Sequence, residues 1–386
     1  MDSFARCSFL LATLVLWPAN ARADKVVVKE ATGERAVDGN ILSVDATGAM
    51  LFETRDAQHL VLTKDQVVRT EKSKTPTPLW TKSELKAALI DEYGKEFRVT
   101  EAEYYIIVHS CSVENAREAG RLLNKAQRTF ITYFGKQNGF KLRKARQPLV
   151  AVVFEGRKQY VDHVAKYLGA AAARTLGVYI PSVNRIFLFN AFGGDDGRRI
   201  DVAKGVDPSF AKHMAAQILD QNVSTLIHEA VHQAAYNTGF HNRNVIEYPM
   251  WLVEGMAMFF ETTDVNGQQG WKGGRSINPD RANRFKAAYH RTLHSGFLEQ
   301  LLVDDAMLRN PATAPDAYAL AWTLTYYLLK NHKSEYMEYV RLINARPEFT
   351  SYTRAARLKD FETAFKMSPG QMETEFLGGI MRLLEK

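Results

Sequence analysis

An α+β fold, with a small all-β module ahead of a mixed sheet and then helices, is what this 386-residue sequence predicts. Three observations predict it. Residues 26–70 alternate apolar and polar positions between Gly-containing turn signals. Residues 103–200 interleave short apolar runs with stretches of helical spacing, and from Lys212 onward helical spacing dominates. Hydrophobic residues at 46% and charged residues at 24% are an ordinary globular mixture, sufficient for a sizeable core.

The amino terminus reads as an export signal over residues 1–23. Cys7 to Trp17 is an apolar run too short to anchor in a bilayer, and "ARA" at Ala21 to Ala23 has the small-x-small form of a signal-peptidase site. Cleavage after Ala23 makes Asp24 the mature start and places the protein in the periplasm or outside the cell. Cys7 leaves with the signal, so Cys111 is alone and no internal disulfide forms. Cys111 follows the strand-like run "YYIIVHSC" and is expected to be a buried, inert thiol.

Residues 24–72 are expected to form a small β-barrel-like module, with turns at Asp38-Gly39 and Thr47-Gly48. It concentrates no acids, histidines or aromatics, so no chemistry is assigned to it. Residues 73–80 are a linker, because their two prolines cannot continue a strand ladder. The main domain spans residues 81–386, with a sheet part at 103–200 and a helical part at 205–386. Thr81 caps a first helix. Glu103 to His109 is a strand, and Ser112 caps a long helix through "AREAGRLLNKAQRTF". "LVAVVF" at Leu149 to Phe154 is a buried strand, Arg157 to Leu168 a helix, and "GVYIPSVNRIFLFNAF" two strands around a Pro-Ser turn.

The formal net charge of +7 is spread along the chain, and its basic residues do not interleave with aromatics, which argues against a nucleic-acid partner. The excess suits acidic surfaces such as a cell-envelope polymer. No later apolar run is long enough for a stable membrane span.

The chemistry lies in "LIHEAVHQAAYN". On a helix, positions four apart share a face, so His228 and His232 aim their imidazoles at one point, with Glu229 beside them. With ten histidines in the chain, a chance H-E-x-x-H arises on the order of once in a hundred such sequences, so a third ligand matters. "YPMWLVEGMAMFFE" supplies one. Its helix is apolar enough to be buried, yet carries Glu254, and a buried carboxylate is costly unless paired or bound to a cation. A metal held by His228, His232 and Glu254 accounts for both features and leaves a fourth position open, as catalytic zinc requires.

HEAVH followed by W-L-V-E-G-M-A resembles the gluzincin metallopeptidases, and the segment from Tyr104 onward resembles a bacterial family of unknown function classed with the peptidase MA-like zincins. The resemblance implies a zincin-like domain with one zinc ion per chain on His228, His232 and Glu254, and Glu229 as general base. It implies a hydrolase of peptide bonds whose substrate is a peptide or protein. The aspartate that often follows the glutamate ligand by one turn is Met258 here, so the partner of a ligand histidine must come from elsewhere. The G-x-M-E-N strand of gluzincin aminopeptidases is absent, which favours endopeptidase action. Relatives place a tyrosine on a later helix, and Tyr318 falls at a compatible distance as oxyanion donor, ahead of Tyr326.

Other polar features are read as ordinary. His241, His290 and His294 are expected to be surface or satisfied histidines. "NAFGGDDGRR" from Asn190 lacks EF-hand ligands and a Walker lysine and is expected to be a loop beside the cleft. Two further function classes stand beside the enzyme. One is a non-catalytic zinc-binding envelope protein on the same scaffold, and the other an envelope interaction protein working through its β-module.

Overall fold

The computed structural model of the chain describes residues 24–30, 33–190, 208–242, 244, 247–261, 277–292 and 295–385. Residues 1–23, expected to be an export signal, nearly all of the Asn190–Arg199 segment, His294 and the His290 side chain lie outside them. The fold is α+β, with two sheets and, among the described residues, twelve α-helices.

The amino-terminal region is all-β: β1 (Asp24–Glu30), β2 (Gly33–Val44), β3 (Met50–Thr54), β4 (His59–Leu62) and β5 (Val67–Glu71). They form an antiparallel sheet in the order β4-β3-β2-β1-β5. The pairing runs from β4 at one end to β5 at the other, in the all-β region expected. At the β4 end the His59 N–H donates to Ser182 O of the main domain at 2.7 Å. The expected turn at Asp38-Gly39 is corrected: both residues lie inside β2. Gly39 is there for close approach, since a Cβ on it would sit 2.1 Å from Glu53 O on β3. Thr47-Gly48 does turn the chain, with Gly48 at φ 87°. Val26, Val28, Val37, Met50, Phe52 and Leu62 make a small core of their own.

The main domain opens with α1 (Lys82–Tyr93), whose Thr81 cap accepts from Glu84 N at 3.3 Å, and β6 (Arg98–Glu101). Then come β7 (Tyr105–His109), α2 (Val113–Phe130), β8 (Leu149–Phe154), α3 (Arg157–Leu168), β9 (Gly177–Ile180) and β10 (Arg185–Phe189). The half-exposed β6, "RVTE", has too little apolar pattern to be seen in the sequence. The sheet order is β6-β7-β8-β10-β9, with β7, β8 and β10 parallel and the two outer strands antiparallel to their neighbours.

Alternate residues of these strands enter two cores. Ile107, Ala151, Val153, Ile186 and Leu188 face α2 and the later helices. Ile106, Val108, Val150, Val152 and Phe187 face α1 and α3. Burial on both faces is why "LVAVVF" reads as an unbroken apolar run.

The helical part is α4 (Pro208–Thr238), α5 (Met250–Phe259), α6 (Pro279–Thr292), α7 (Phe297–Val303), α8 (Ala306–Arg309), α9 (Ala314–Asn331), α10 (Lys333–Asn344), α11 (Arg354–Phe365) and α12 (Pro369–Leu384). Among the described residues, no helix is long and apolar enough to cross a membrane. Cys111 is buried, and burial pushes its thiol up to about 11, so it is protonated at neutral pH.

The β-module is fastened to the main domain by polar contacts. Arg146 Nη1 donates to both Glu53 oxygens at 2.9 Å. Arg185, almost wholly buried, meets Asp56 at 3.0 Å and Glu92 at 2.5 Å. The linker lies along the module, with Thr77 N donating to Asn40 Oδ1 at 2.7 Å and Trp80 N to Arg55 O at 2.7 Å. Arg185 at the start of β10 and the His59 N–H bond to Ser182 O tie the module to the β9–β10 turn, next to the helix that carries HEAVH.

Candidate metal centre

Helix α4 meets the sheet through a polar stripe at every fourth residue. Glu229 Oε2 accepts from Tyr179 N on β9 at 2.6 Å. Gln233 Nε2 donates to Asn184 O at 2.9 Å and to Val150 O at 3.2 Å. Asn237 exchanges amide hydrogen bonds with the Asn184 side chain at 2.8 and 3.0 Å. The stripe fixes the rotation of α4, which in turn sets the direction of the adjoining His228–His232 face.

On that face the two imidazoles stand edge to face, with Nε2 atoms 2.9 Å apart. Glu254 on α5 brings Oε2 to 3.2 Å from His228 Nε2 and Oε1 to 3.8 Å from His232 Nε2. One ligand atom from each of the three residues lies within 4.8 Å of the others. Four-coordinate zinc with bonds near 2.0–2.1 Å separates its ligand atoms by about 3.3 Å, and these atoms are close to that spacing. Two imidazole nitrogens and a carboxylate oxygen are also the right donor types, so the residues fit the ion.

Helix α5 is held where Glu254 is needed. Its first N–H, on Met250, donates to Asp305 Oδ1 at 3.0 Å, and Arg357 clamps Asp305 at 2.9 Å. Gly255 lets α5 lie directly on α9: a Cβ there would be 2.2 Å from Thr325 Oγ1 and 2.7 Å from Ala321 O.

The partner expected at position 258 is found further along. Met258 is fully buried, and the carboxylate comes from Glu261, just beyond the end of α5. Its Oε1 is 2.7 Å from His228 Nδ1. Arg281 of α6 grips both Glu261 oxygens at 3.0–3.3 Å. This fixes the His228 ring so that Nε2 faces the ligand cluster. Sequence reasoning missed Glu261. The available signal was an acid seven residues after Glu254, on the same face, closing the apolar run "MAMFFE".

Burial and charge set the protonation states. Burial works against a positive charge on His228, but the carboxylates of Glu254 and Glu261 overcome it and hold its pKa well above the ordinary value. Burial, and then the His228 charge, push His232 down to about 4, so its ring is neutral. Burial raises the Glu229 carboxyl to about 7, partly offset by His228 and the Tyr179 N–H. Burial likewise opposes charge on Glu261, and His228 and Arg281 reverse the effect, bringing it to about 2.

Tyr318 is half-buried on α9. Its hydroxyl is held protonated, first by burial and then by the negative charge of Glu254, with Glu229 adding to it. Its phenol therefore lies within the field of the cluster. Tyr326 stacks on Trp322 at 5.4 Å, and burial alone raises its phenol.

The expectation for His241 is corrected. It is neither at the surface nor satisfied. The residue has no exposure, and neither ring nitrogen has a hydrogen-bond partner. Burial pushes it down to about 3, so it is neutral, and His232 is the charge it senses.

A sequence model of the family described as "Protein of unknown function (DUF1570)" matches residues 222–350. That similarity, over about a third of the chain, takes in His228, Glu229, His232, Glu254, Glu261, Arg281 and Tyr318. The β-module and the sheet fall outside it. No match to the chain was found among curated proteins.

Proposed function

We propose that this chain is an exported, zinc-dependent hydrolase of peptide bonds, a gluzincin-type endopeptidase on a zincin-like domain. The observation that carries the reading is the convergence of His228, His232 and Glu254 within 4.8 Å, with a buried, weakly acidic Glu229 on the next position of the same helix.

Zinc held by these three residues supplies Lewis acidity, activating water and polarising a carbonyl oxygen. The protein supplies the rest. Glu229, beside the two histidine ligands on the same helix, accepts a proton from water and returns it to the departing amine. The Tyr179 N–H engages Oε2 and leaves Oε1 for that exchange. Tyr318 keeps its proton and donates a hydrogen bond to the oxygen on which negative charge develops. Glu261 and Arg281 hold the His228 ring in place throughout.

A peptide substrate is favoured by the neighbouring strand. β9 is the outer strand of its sheet, and its Tyr179 backbone meets the base. An extended chain laid along that edge by backbone pairing passes directly by Glu229.

The test is zinc quantification on the mature chain, followed by incubation with an unbiased peptide library. About one zinc per chain is expected, together with cleavage of internal peptide bonds. A chain that holds no zinc under non-chelating conditions, or holds it and cleaves nothing that a chelator protects, overturns the reading.

A further inference from the structure

The two histidine ligands are not equally supported. His228 gives its Nδ1 to Glu261, whereas the buried Nδ1 of His232 has no partner. The Nε2 of His232 faces His228 and Glu254, so a neutral His232 ligand carries its proton on Nδ1. A metal-bound histidine nearly always donates that second N–H. His232 therefore needs a buried acceptor.

Other polar side chains of this region are turned toward other partners. The Tyr248 hydroxyl donates to Asn344 Oδ1 at 2.5 Å and accepts from Asn242 N at 2.6 Å. The Tyr179 hydroxyl donates to Asn184 at 3.0 Å. Gln233 Oε1 also lacks a partner, but its side chain lies on the stripe that faces β8 and the β9–β10 turn.

His241 is different. Its backbone N–H donates to Ala235 O at 3.0 Å, which folds the chain back under the carboxyl end of α4. Its ring packs at 5.3 Å from Tyr236, one helical turn beyond His232, and at 4.8 Å from Tyr248. A neutral imidazole offers one lone pair and one N–H. The lone pair is the acceptor that His232 lacks. The remaining N–H has the edge-to-face Tyr236 ring as a weak π acceptor.

We propose that His241 is the positioning residue for His232, accepting its Nδ1–H across one buried water and so orienting the second ligand as Glu261 orients the first. The proposal rests on the zinc reading above. A neutral acceptor at His232 beside an anionic one at His228 makes the pair unequal. His228 is the more strongly electron-donating ligand, and His232 the one fixed by orientation alone.

The test is zinc affinity by chelator competition on the full mature chain, comparing wild type with His241→Phe, His241→Asn and His241→Gln. Phenylalanine keeps the aromatic packing and removes the lone pair, and should weaken zinc binding by about 10–100-fold. The metal-free melting temperature should not fall, because two unpartnered buried nitrogens are also removed. The carbonyl oxygens of asparagine and glutamine fall near Nδ1 and Nε2, and one of the two should restore affinity. Nitrogen-15 spectra of the zinc-loaded wild type should also show a slowly exchanging proton on His232 Nδ1. That readout stands if the phenylalanine variant does not fold. Unchanged affinity in His241→Phe, failure of both amides to rescue, or a rapidly exchanging His232 proton overturns the proposal. Wild type that binds no zinc overturns the metal reading itself, which is a separate and recognisable outcome.

Discussion

The protein contains two ionic clusters that meet solvent in different ways. Where the β-module meets the main domain, each acid has a cation beside it: Arg185 lies between Asp56 and Glu92, and Arg146 grips Glu53. Around α4 and α5, three carboxylates, Glu229, Glu254 and Glu261, share Arg281 and two imidazoles. The first sets two arginines against three acids, with Arg146 and Glu92 open to solvent, and joins two parts of the chain. The second is nearly closed to solvent, so protons or a divalent cation must relieve the charge of its carboxylates. Polar clusters alone therefore do not mark a function; a buried set converging on one point does.

Neutralising one residue in each cluster separates the two cases. Glu229→Gln should have the largest effect, lowering hydrolysis by roughly 10²–10⁴-fold while zinc stays bound, because it removes the base and no ligand. Activity assay beside metal analysis checks this. The same change should stabilise the metal-free protein. The Glu229 carboxyl is raised from an ordinary 4.5 to about 7 in the folded chain, so native stability falls as pH rises from 4.5 through 7. Above that window, Glu229→Gln should be more stable than wild type by up to about 3 kcal/mol. Denaturation in chelator at pH 5 and pH 8 should show the advantage growing with pH.

Arg185→Met should do the reverse. It strands the largely buried Asp56 at the module junction, while Glu92 reaches solvent, and should cost about 3 kcal/mol of stability, with zinc affinity per folded molecule unchanged. Urea unfolding and chelator competition measure the two. A variant that kept its stability would mean that the junction charges are not coupled.

Tyr318→Phe comes next. It removes a hydroxyl but little packing, and its neighbour Glu254 remains. The expected loss is about 10²-fold in turnover, with zinc stoichiometry and melting temperature unchanged. Unaltered turnover would remove Tyr318 from the site and leave its raised pKa as a consequence of burial.

The sequence showed local and periodic features well and long-range pairings poorly. The i, i+4 spacing of His228 and His232, and the isolated acid Glu254 in an apolar helix, could be read because each obeys a helical rule within one segment. The strand "LVAVVF" and the caps Thr81 and Ser112 were legible for the same reason. Glu261 was missed because the search stopped one turn after Glu254, whereas the carboxylate follows by two. His241 was misread because histidine alone gives no sign of whether its nitrogens find partners. The Arg185–Asp56–Glu92 junction joins positions about 90 and 130 residues apart, which no local pattern connects. The Asp38-Gly39 pair carries a turn signature, but tertiary contact with Glu53 O explains the glycine inside a strand.

Gly255→Ala tests whether the proposed metal-binding cluster depends on helix spacing as well as on its ligands. The added methyl would meet Thr325 Oγ1 at 2.2 Å and the Ala321 carbonyl oxygen at 2.7 Å, and the second contact is backbone that cannot swing aside. Helix α5 must then lift from α9. Glu254, next to Gly255, moves away from Tyr318 on α9 and shifts relative to His228 and His232 on α4. Overpacking of this kind costs about 1–3 kcal/mol, and the gain in helix propensity from Gly to Ala, about 1 kcal/mol, offsets part of it. A modest net loss of stability, the smallest effect among these variants, should therefore accompany weaker zinc binding. The junction around Arg185 should be untouched. If chelator competition shows wild-type affinity in a destabilised Gly255→Ala, the α5–α9 contact serves the fold alone. The ligand geometry would then be set by α4 and by the Asp305 anchor at the start of α5.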